Sequence, residues 1–415
     1  CNLLDEAEAI ANAGNPRETL PVFEAIADEI LDHDDDFEYA ETDLEDLFGD
    51  IADAWAGAIL LADLTDDERE EWADRASTLA EAENIGGAAR LEMVATAAEQ
   101  GWDYPALVRV LQGEITEHGA WEPDEETPIY ADELAKVRLD ILERQGRIQE
   151  AIYLAEAEGE TTRFLSLLVA AGRVQDAIKT GMEQIATPKE ALALAQNLAE
   201  RNETEGAFAI AEHGIHLPPP APREDGHASF YPSSAPPKKE LALWLRDYAL
   251  LNNRDNLALT SGKIAFKEAQ TLEDYLLLQK VSGETWKTLR EELLALCRSP
   301  HAWYSSGAID VLLHEKEFLA ALKQVENSHS SDAARVAEAA LATHPDEVIV
   351  LCKKRAEAIM DAGKANHYDD AQNWLRLVRD AYQAANRVAE WQTYKTSIMD
   401  THGRKYKLIP LVRAL

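Results

Sequence analysis

Apolar residues recur at helical spacing over most of the chain. Leu44, Leu47, Phe48, Ile51, Trp55, Ala58, Ile59 and Ala62 follow i, i+3, i+4, i+7, i+11 steps and share one face of a helix, while Asp43, Glu45, Asp46, Asp50 and Asp53 fill the rest of the turn. Thr65-Asp66-Asp67-Glu68 then offers a capped helix start, with acids in the first turn where the helix dipole favours them. Leu241, Trp244, Leu245 and Tyr248 share a face, as do Ala371, Trp374, Leu375, Val378, Tyr382 and Ala385. Convincing alternating β-branched runs are missing, so the chain reads as all-α.

The helices repeat. A short pattern ends a helix at Gly or Asn and sets a small residue five positions on, inside the next helix: Gly146 to Ala151, Gly172 to Ala177 and Asn202 to Ala207, with looser copies beginning at Gly14, Asn253 and Asn386. Gly and Asn tolerate the left-handed conformation that closes a helix, and Ala lets the next helix approach closely. A tight helix pair recurring at intervals of 26 and 30 residues is a solenoid signature. The turn resembles that of tetratricopeptide repeats, without their full consensus of Trp, Tyr and Pro. The expected fold is therefore a tetratricopeptide-like helical-repeat solenoid of antiparallel helix pairs.

Two interruptions divide it. Trp121 to Pro128 breaks helix, and residues 216–238 hold seven of the 16 Pro, a stretch that cannot continue a helix and reads as an exposed loop inserted between repeats. The expected organisation is an acidic helical region (1–126), helical repeats (127–215), a Pro-rich loop (216–238) and further repeats ending in a basic tail (239–415).

Charge sharpens the first boundary. The net charge is −37, of which residues 1–126 carry −31, with 36 acids against five arginines and no Lys; residues 127–415 carry only −6. Salt adaptation predicts acid everywhere, which the second part does not show. Such acidity disfavours binding to a phosphate backbone by this chain and selects instead for a basic protein partner. Much of the acid could also be plain solvated helix faces and helix starts. The longest uncharged apolar run, Ala54–Ala62, has nine residues, whereas a membrane span needs about 20; a cytoplasmic location away from the membrane is expected. Hydrophobic residues at 46% argue against disorder throughout.

Little of the sequence suggests chemistry. Cys1, Cys297 and Cys352 are far apart and form no CxxC. His213 and His216 form an isolated HxxH at a helix end, without further ligands. His33-Asp34-Asp35-Asp36 has hard oxygen ligands but not the spacing of a calcium loop. No nucleotide-binding or hydrolase motif is present, so no catalytic, metal or cofactor site is expected. Residues 402–415 reverse the sign, with Arg404, Lys405, Lys407 and Arg413 and no acid. Arg404, Lys405 and Lys407, and at the acidic end Asp34, Asp35 and Asp36, are the candidate partner-binding residues; the basic segment could equally dock on an acidic face of its own chain.

Several stretches together resemble the C-terminal helical region of bacterial SWIM zinc-finger family proteins. They are Asp43 to Trp55 leading to Ala62–Arg69, the Leu139–Ala151 helix pair, Leu241 to Asp247, and Tyr368 to Trp374 followed by Ala389-Glu390-Trp391 and His402-Gly403-Arg404-Lys405. The resemblance implies a CxCx(n)CxH finger upstream, holding the only expected zinc, and a setting among proteins that work on DNA. The Pro-rich insertion departs from the family's pattern. The chain begins without Met, as expected of a piece of something longer. The leading expectation is a non-catalytic protein-interaction scaffold, possible in a DNA-associated complex. A lipid-anchored repeat protein, through Cys1, and an enzyme in an α-solenoid stay open as alternatives.

Overall fold

The computed structural model describes residues 2–32, 41–82, 87–123, 127–218, 237–299, 306–326 and 331–415. Helices dominate, and no strand occurs among the described residues. The chain divides into two compact units, Cys1–Leu217 and Pro218–Leu415. The first holds α1 (Asn2–Asn12), α2 (Pro16–Asp32), α3 (Glu41–Leu61), α4 (Asp66–Ala80), α5 (Glu92–Gln100), α6 (Pro105–Leu111), α7 (Ala131–Arg144), α8 (Ile148–Ala157), α9 (Thr161–Ala170), α10 (Val174–Gln184), α11 (Pro188–Glu200) and α12 (Thr204–His216). The second holds α13 (Pro237–Leu251), α14 (Asp255–Ala269), α15 (Leu272–Ser282), α16 (Trp286–Arg298), α17 (Ser306–His314), α18 (Phe318–Val325), α19 (Asp332–Ala340), α20 (Pro345–Ala362), α21 (Tyr368–Ala384), α22 (Val388–Thr401) and α23 (Leu408–Arg413).

Five of the six turns anticipated from Gly and Asn share one geometry, and the sixth, at Gly14, has a φ of 103°. Gly146, Gly172, Asn202, Asn253 and Asn386 all adopt positive φ, between 57° and 77°. In each case the next amide reaches back to a carbonyl five residues earlier: Arg147 N to Leu142 O (2.9 Å), Arg173 N to Leu168 O (2.8 Å), Glu203 N to Leu198 O (2.9 Å), Arg254 N to Ala249 O (2.8 Å) and Arg387 N to Tyr382 O (2.8 Å). This closure satisfies carbonyls that the helix end leaves unpaired. The residue five positions after the turn is buried each time: Ala151, Ala177, Ala207, Ala258 and Trp391. Lys316 makes the same turn, with φ 60° and Glu317 N on Leu312 O (2.8 Å), and Ala321 follows it. Lys rarely adopts this conformation, so composition could not flag it. Gly146→Ala is expected to destabilise the first unit by about 1 kcal/mol, and Asn202→Gly to be neutral or slightly stabilising; chemical denaturation of the two variants checks the signs.

Other local readings also hold. Thr65 caps α4 in a full capping box, its hydroxyl accepting Glu68 N–H and its own amide donating to the Glu68 carboxylate (2.9 Å). Thr187 and Glu190 repeat the device at α11. On α3, Phe48, Ile51, Trp55, Ala58 and Ile59 are buried as their spacing required, with Leu44 and Leu47 packed at the edge.

The fall in acidity near residue 126 is not a break in packing. Trp121, Ala131, Leu134, Val137 and Ile141 belong to one core with Leu20, Phe23, Phe48, Trp55 and Leu91. Between α6 and α7 the chain runs as a strap over α8. Residues 112–118 are exposed, and Gly119, Ala120 and Trp121 are buried. Gly119 lies so close to α8 that a Cβ there would sit 2.5 Å from a Glu158 carboxylate oxygen. Ala120 N–H donates to that oxygen (2.5 Å). In both units helices pack chiefly on the next and next-but-one helix, as α9 does on α10 and α11, and α20 on α21 and α18.

Candidate functional site: an acidic groove in the first unit

The acids of α3 that face away from the core meet α1 and α7 along two adjoining hollows. The first, of about 410 Å³, is lined by Glu45, Asp46, Asp50 and Asp53 of α3 with Arg90, Tyr130 and Glu133. The second, of about 390 Å³, is lined by Asp5, Glu8 and Asn12 of α1, Asp50 and Asp53 again, and Lys136, Asp140 and Arg144 of α7. Asp50 and Asp53 line both, so the hollows form one groove. Amphipathic helices produce it: one stripe of α3 enters the core, and the opposite acidic stripe becomes the floor.

Charge in the groove is only partly compensated. Arg90 pairs with Glu133 at 3.5 Å, Lys136 reaches outward to Glu160 at 3.6 Å, and Arg144 donates to Asn12 and to the Asp140 carbonyl. Among the described residues, Asp5, Glu8, Glu45, Asp46, Asp50 and Asp53 make no ion pair with a base. Asp53 carries the clearest electrostatic signature. Burial of its inner side, and then the neighbouring charges of Glu133 and Asp50, push its carboxyl up to about 6 against the pull of Arg90 and Lys136. Nearby Glu99 is also raised, by burial and by Glu92 and Asp74. The groove offers carboxylates to a cation and holds no paired nucleophile and base.

The residues singled out from sequence are scattered. Asp34, Asp35 and Asp36, with His33, lie outside the described residues, as do Cys1 and Pro-rich positions 219–236. Arg404 and Lys407 are exposed in the turn before α23, whereas the Lys405 ammonium is directed inward to the Met360 carbonyl. The segment 402–415 rests on its own unit through buried Leu408 and Val412. Its docking is apolar and backbone-directed, with His402 near Asp361 (3.7 Å) as its contact to an acid. Cys297 and Cys352 are buried, and burial pushes both thiols up to about 12, out of the reactive range. His213 and His216 end α12, and no group of three or more His, Cys, Asp or Glu among the described residues is placed to share a metal ion. No helix of the described residues is long and apolar enough to cross a membrane.

Sequence reasoning found the acids of α3 but not their partners. Glu133, Lys136 and Asp140 sit about 80 residues away, and nothing local pairs them with Asp53. No protein-family model matches the chain, and no curated protein matches it at a significant level.

Proposed function

We propose that the chain is a non-catalytic protein-interaction scaffold, a tetratricopeptide-like α-solenoid whose acidic groove receives a basic segment of a partner protein in the cytoplasm. The observation that carries this reading is the groove itself, two hollows sharing Asp50 and Asp53 with six carboxylates left without a base. Repeated helix hairpins joined by one turn geometry support the solenoid, since sequential hairpin stacking is how such arrays build extended binding surfaces. The resemblance to the helical region of SWIM zinc-finger proteins supports a scaffold beside a nucleic-acid-binding finger, while the chain's own charge opposes direct contact with DNA. A CxCx(n)CxH in the sequence preceding Cys1 tests that kinship; a small-residue lipid-attachment signal there would replace it with the anchored alternative.

A Lys/Arg-rich peptide should bind the full chain at low salt and weaken as ionic strength rises, because exposed charges are screened beyond about 8–10 Å. Replacing Glu45, Asp50 and Asp53 together by their amides should cost about tenfold or more in affinity. Binding that is indifferent to salt and to these replacements would remove the groove as the site.

Asp53 adds a pH dependence with a definite sign. Its raised pKa means that the folded first unit takes up a proton there, so its contribution favours folding at low pH and is lost as pH rises through about 6. Asp53→Asn should therefore stabilise the first unit at pH 7, by about 1 kcal/mol once solvent screening is allowed for, and make little difference at pH 4.5. A bound cation lowers the same pKa and expels the proton, so peptide affinity should rise between pH 5 and 7 in the wild type and lose much of that rise in Asp53→Asn.

A further inference from the structure

Most arginines of this acid-rich chain are satisfied by carboxylates. In α21, Arg379 pairs with Asp380 (2.8 Å), and in the turn before α22, Arg387 pairs with Asp346 and Glu390. Around α23 the pattern fails. Arg376, Arg404 and Arg413 have no acid partner among the described residues, and Lys407 has none either. The same turn presents Tyr406 with 79% of its surface exposed.

This surface is held in place from beneath. Leu408 and Val412 are fully buried, the Lys405 ammonium donates to the Met360 carbonyl, Gln372 Nε2 donates to Leu411 O (3.0 Å), and Lys395 Nζ donates to Arg413 O (3.1 Å). Arg376 lies one helical turn beyond Gln372 on α21, and Arg404 and Lys407 flank the Lys405 anchor. The cations are therefore set on a fixed frame, which lowers the ordering cost of binding.

We propose that the surface around α23, built from Arg376, Arg404, Tyr406, Lys407 and Arg413, is a docking site for a carboxylate-rich segment of a partner protein. Arginine forks match carboxylates in two-point contacts, and an exposed Tyr supplies the rigid, amphipathic contact that protein interfaces favour. Nucleic acid is the poorer fit. Its affinity is built from many phosphate contacts, whereas this surface supplies four cations on a chain of net charge −37. A short acidic segment feels mainly the local field, because charges farther than about 8 Å are screened at physiological salt. The site is opposite in sign to the groove and independent of it, so failure at one leaves the other standing.

Fluorescence anisotropy of the full chain tests it, using a labelled Glu-rich peptide, a Gln-for-Glu control peptide and a thymidine oligonucleotide. The Glu-rich peptide should bind at low salt and the control should not. Arg404→Glu with Lys407→Glu should weaken binding about tenfold or more, Arg404→Gln with Lys407→Gln about threefold or more, and Tyr406→Ala about threefold. All five side chains lie outside the core, and circular dichroism confirms that the variants remain folded. The proposal is overturned if the wild type prefers neither peptide or if the Gln pair leaves affinity unchanged. It is also overturned if the oligonucleotide binds more tightly than the Glu-rich peptide and is lost with the same variants.

Discussion

Trp55→Ala should destabilise the first unit by about 3–5 kcal/mol, the range for truncating a large buried aromatic. Trp55 is fully buried, at the centre of a core that includes Phe23, Phe48, Ile51, Leu91 and Leu134. Its ring meets Trp72 edge-on, with centroids 6.1 Å apart. Its indole N–H has no acceptor among the described residues, so truncation removes packing without removing a hydrogen bond. Trp55→Phe should cost clearly less, because the ring contact is partly kept and an unsatisfied donor is deleted. Denaturant titration gives both values; equal losses in the two variants would mean that volume is not what Trp55 supplies.

Glu158→Ala is the second large effect, at about 2–3 kcal/mol, and its cause is electrostatic. Arg138 is 2% exposed, donates from Nη2 to Gln100 Oε1 (2.8 Å), and has no partner at Nε among the described residues. Burial pulls its pKa down to about 10, and Glu158 is the charge that most opposes this. The same carboxylate accepts the Ala120 amide and the Trp121 indole from the strap. Its removal leaves a buried guanidinium without its countercharge, which is costly, whereas loss of both charges together is often tolerated. In an Arg138→Met background, Glu158→Ala should therefore cost at least about 1 kcal/mol less than in the wild type. Hydrogen exchange over residues 112–121 should rise in Glu158→Ala while that of α9 and α11 stays protected. Identical costs in the two backgrounds would show that the two charges are not coupled.

These cases mark where sequence reading stops. The turns at Gly146, Gly172, Asn202, Asn253 and Asn386, the capping box at Thr65 and the buried stripe of α3 were legible, because each is set by residues within one or two helical turns. The turn at Lys316 was not, since packing holds a residue there that composition would not choose. Arg138 and Glu158 look singly like ordinary helix-surface charges; burial of both in the fold makes them a pair. Asp53 likewise becomes unusual only when packing buries its inner side and α7 brings Glu133 beside it. In the basic segment, charge alone ranked Lys405 with Arg404 and Lys407, whereas the fold directs Lys405 to a backbone carbonyl and leaves the other two outward. The all-α class followed from periodicity spread over hundreds of residues, which no single misread position could overturn.

The tendency of most helices to pack on their next and next-but-one neighbours has a kinetic consequence. Low sequence separation between contacting residues makes loop closure cheap, and chains of that kind fold fast for their size. Two contacts are exceptions: α7 packs on α3 across three intervening helices, and the strap's clip to Glu158 joins positions 38 residues apart; both should lock late, after the hairpins they fasten have already formed.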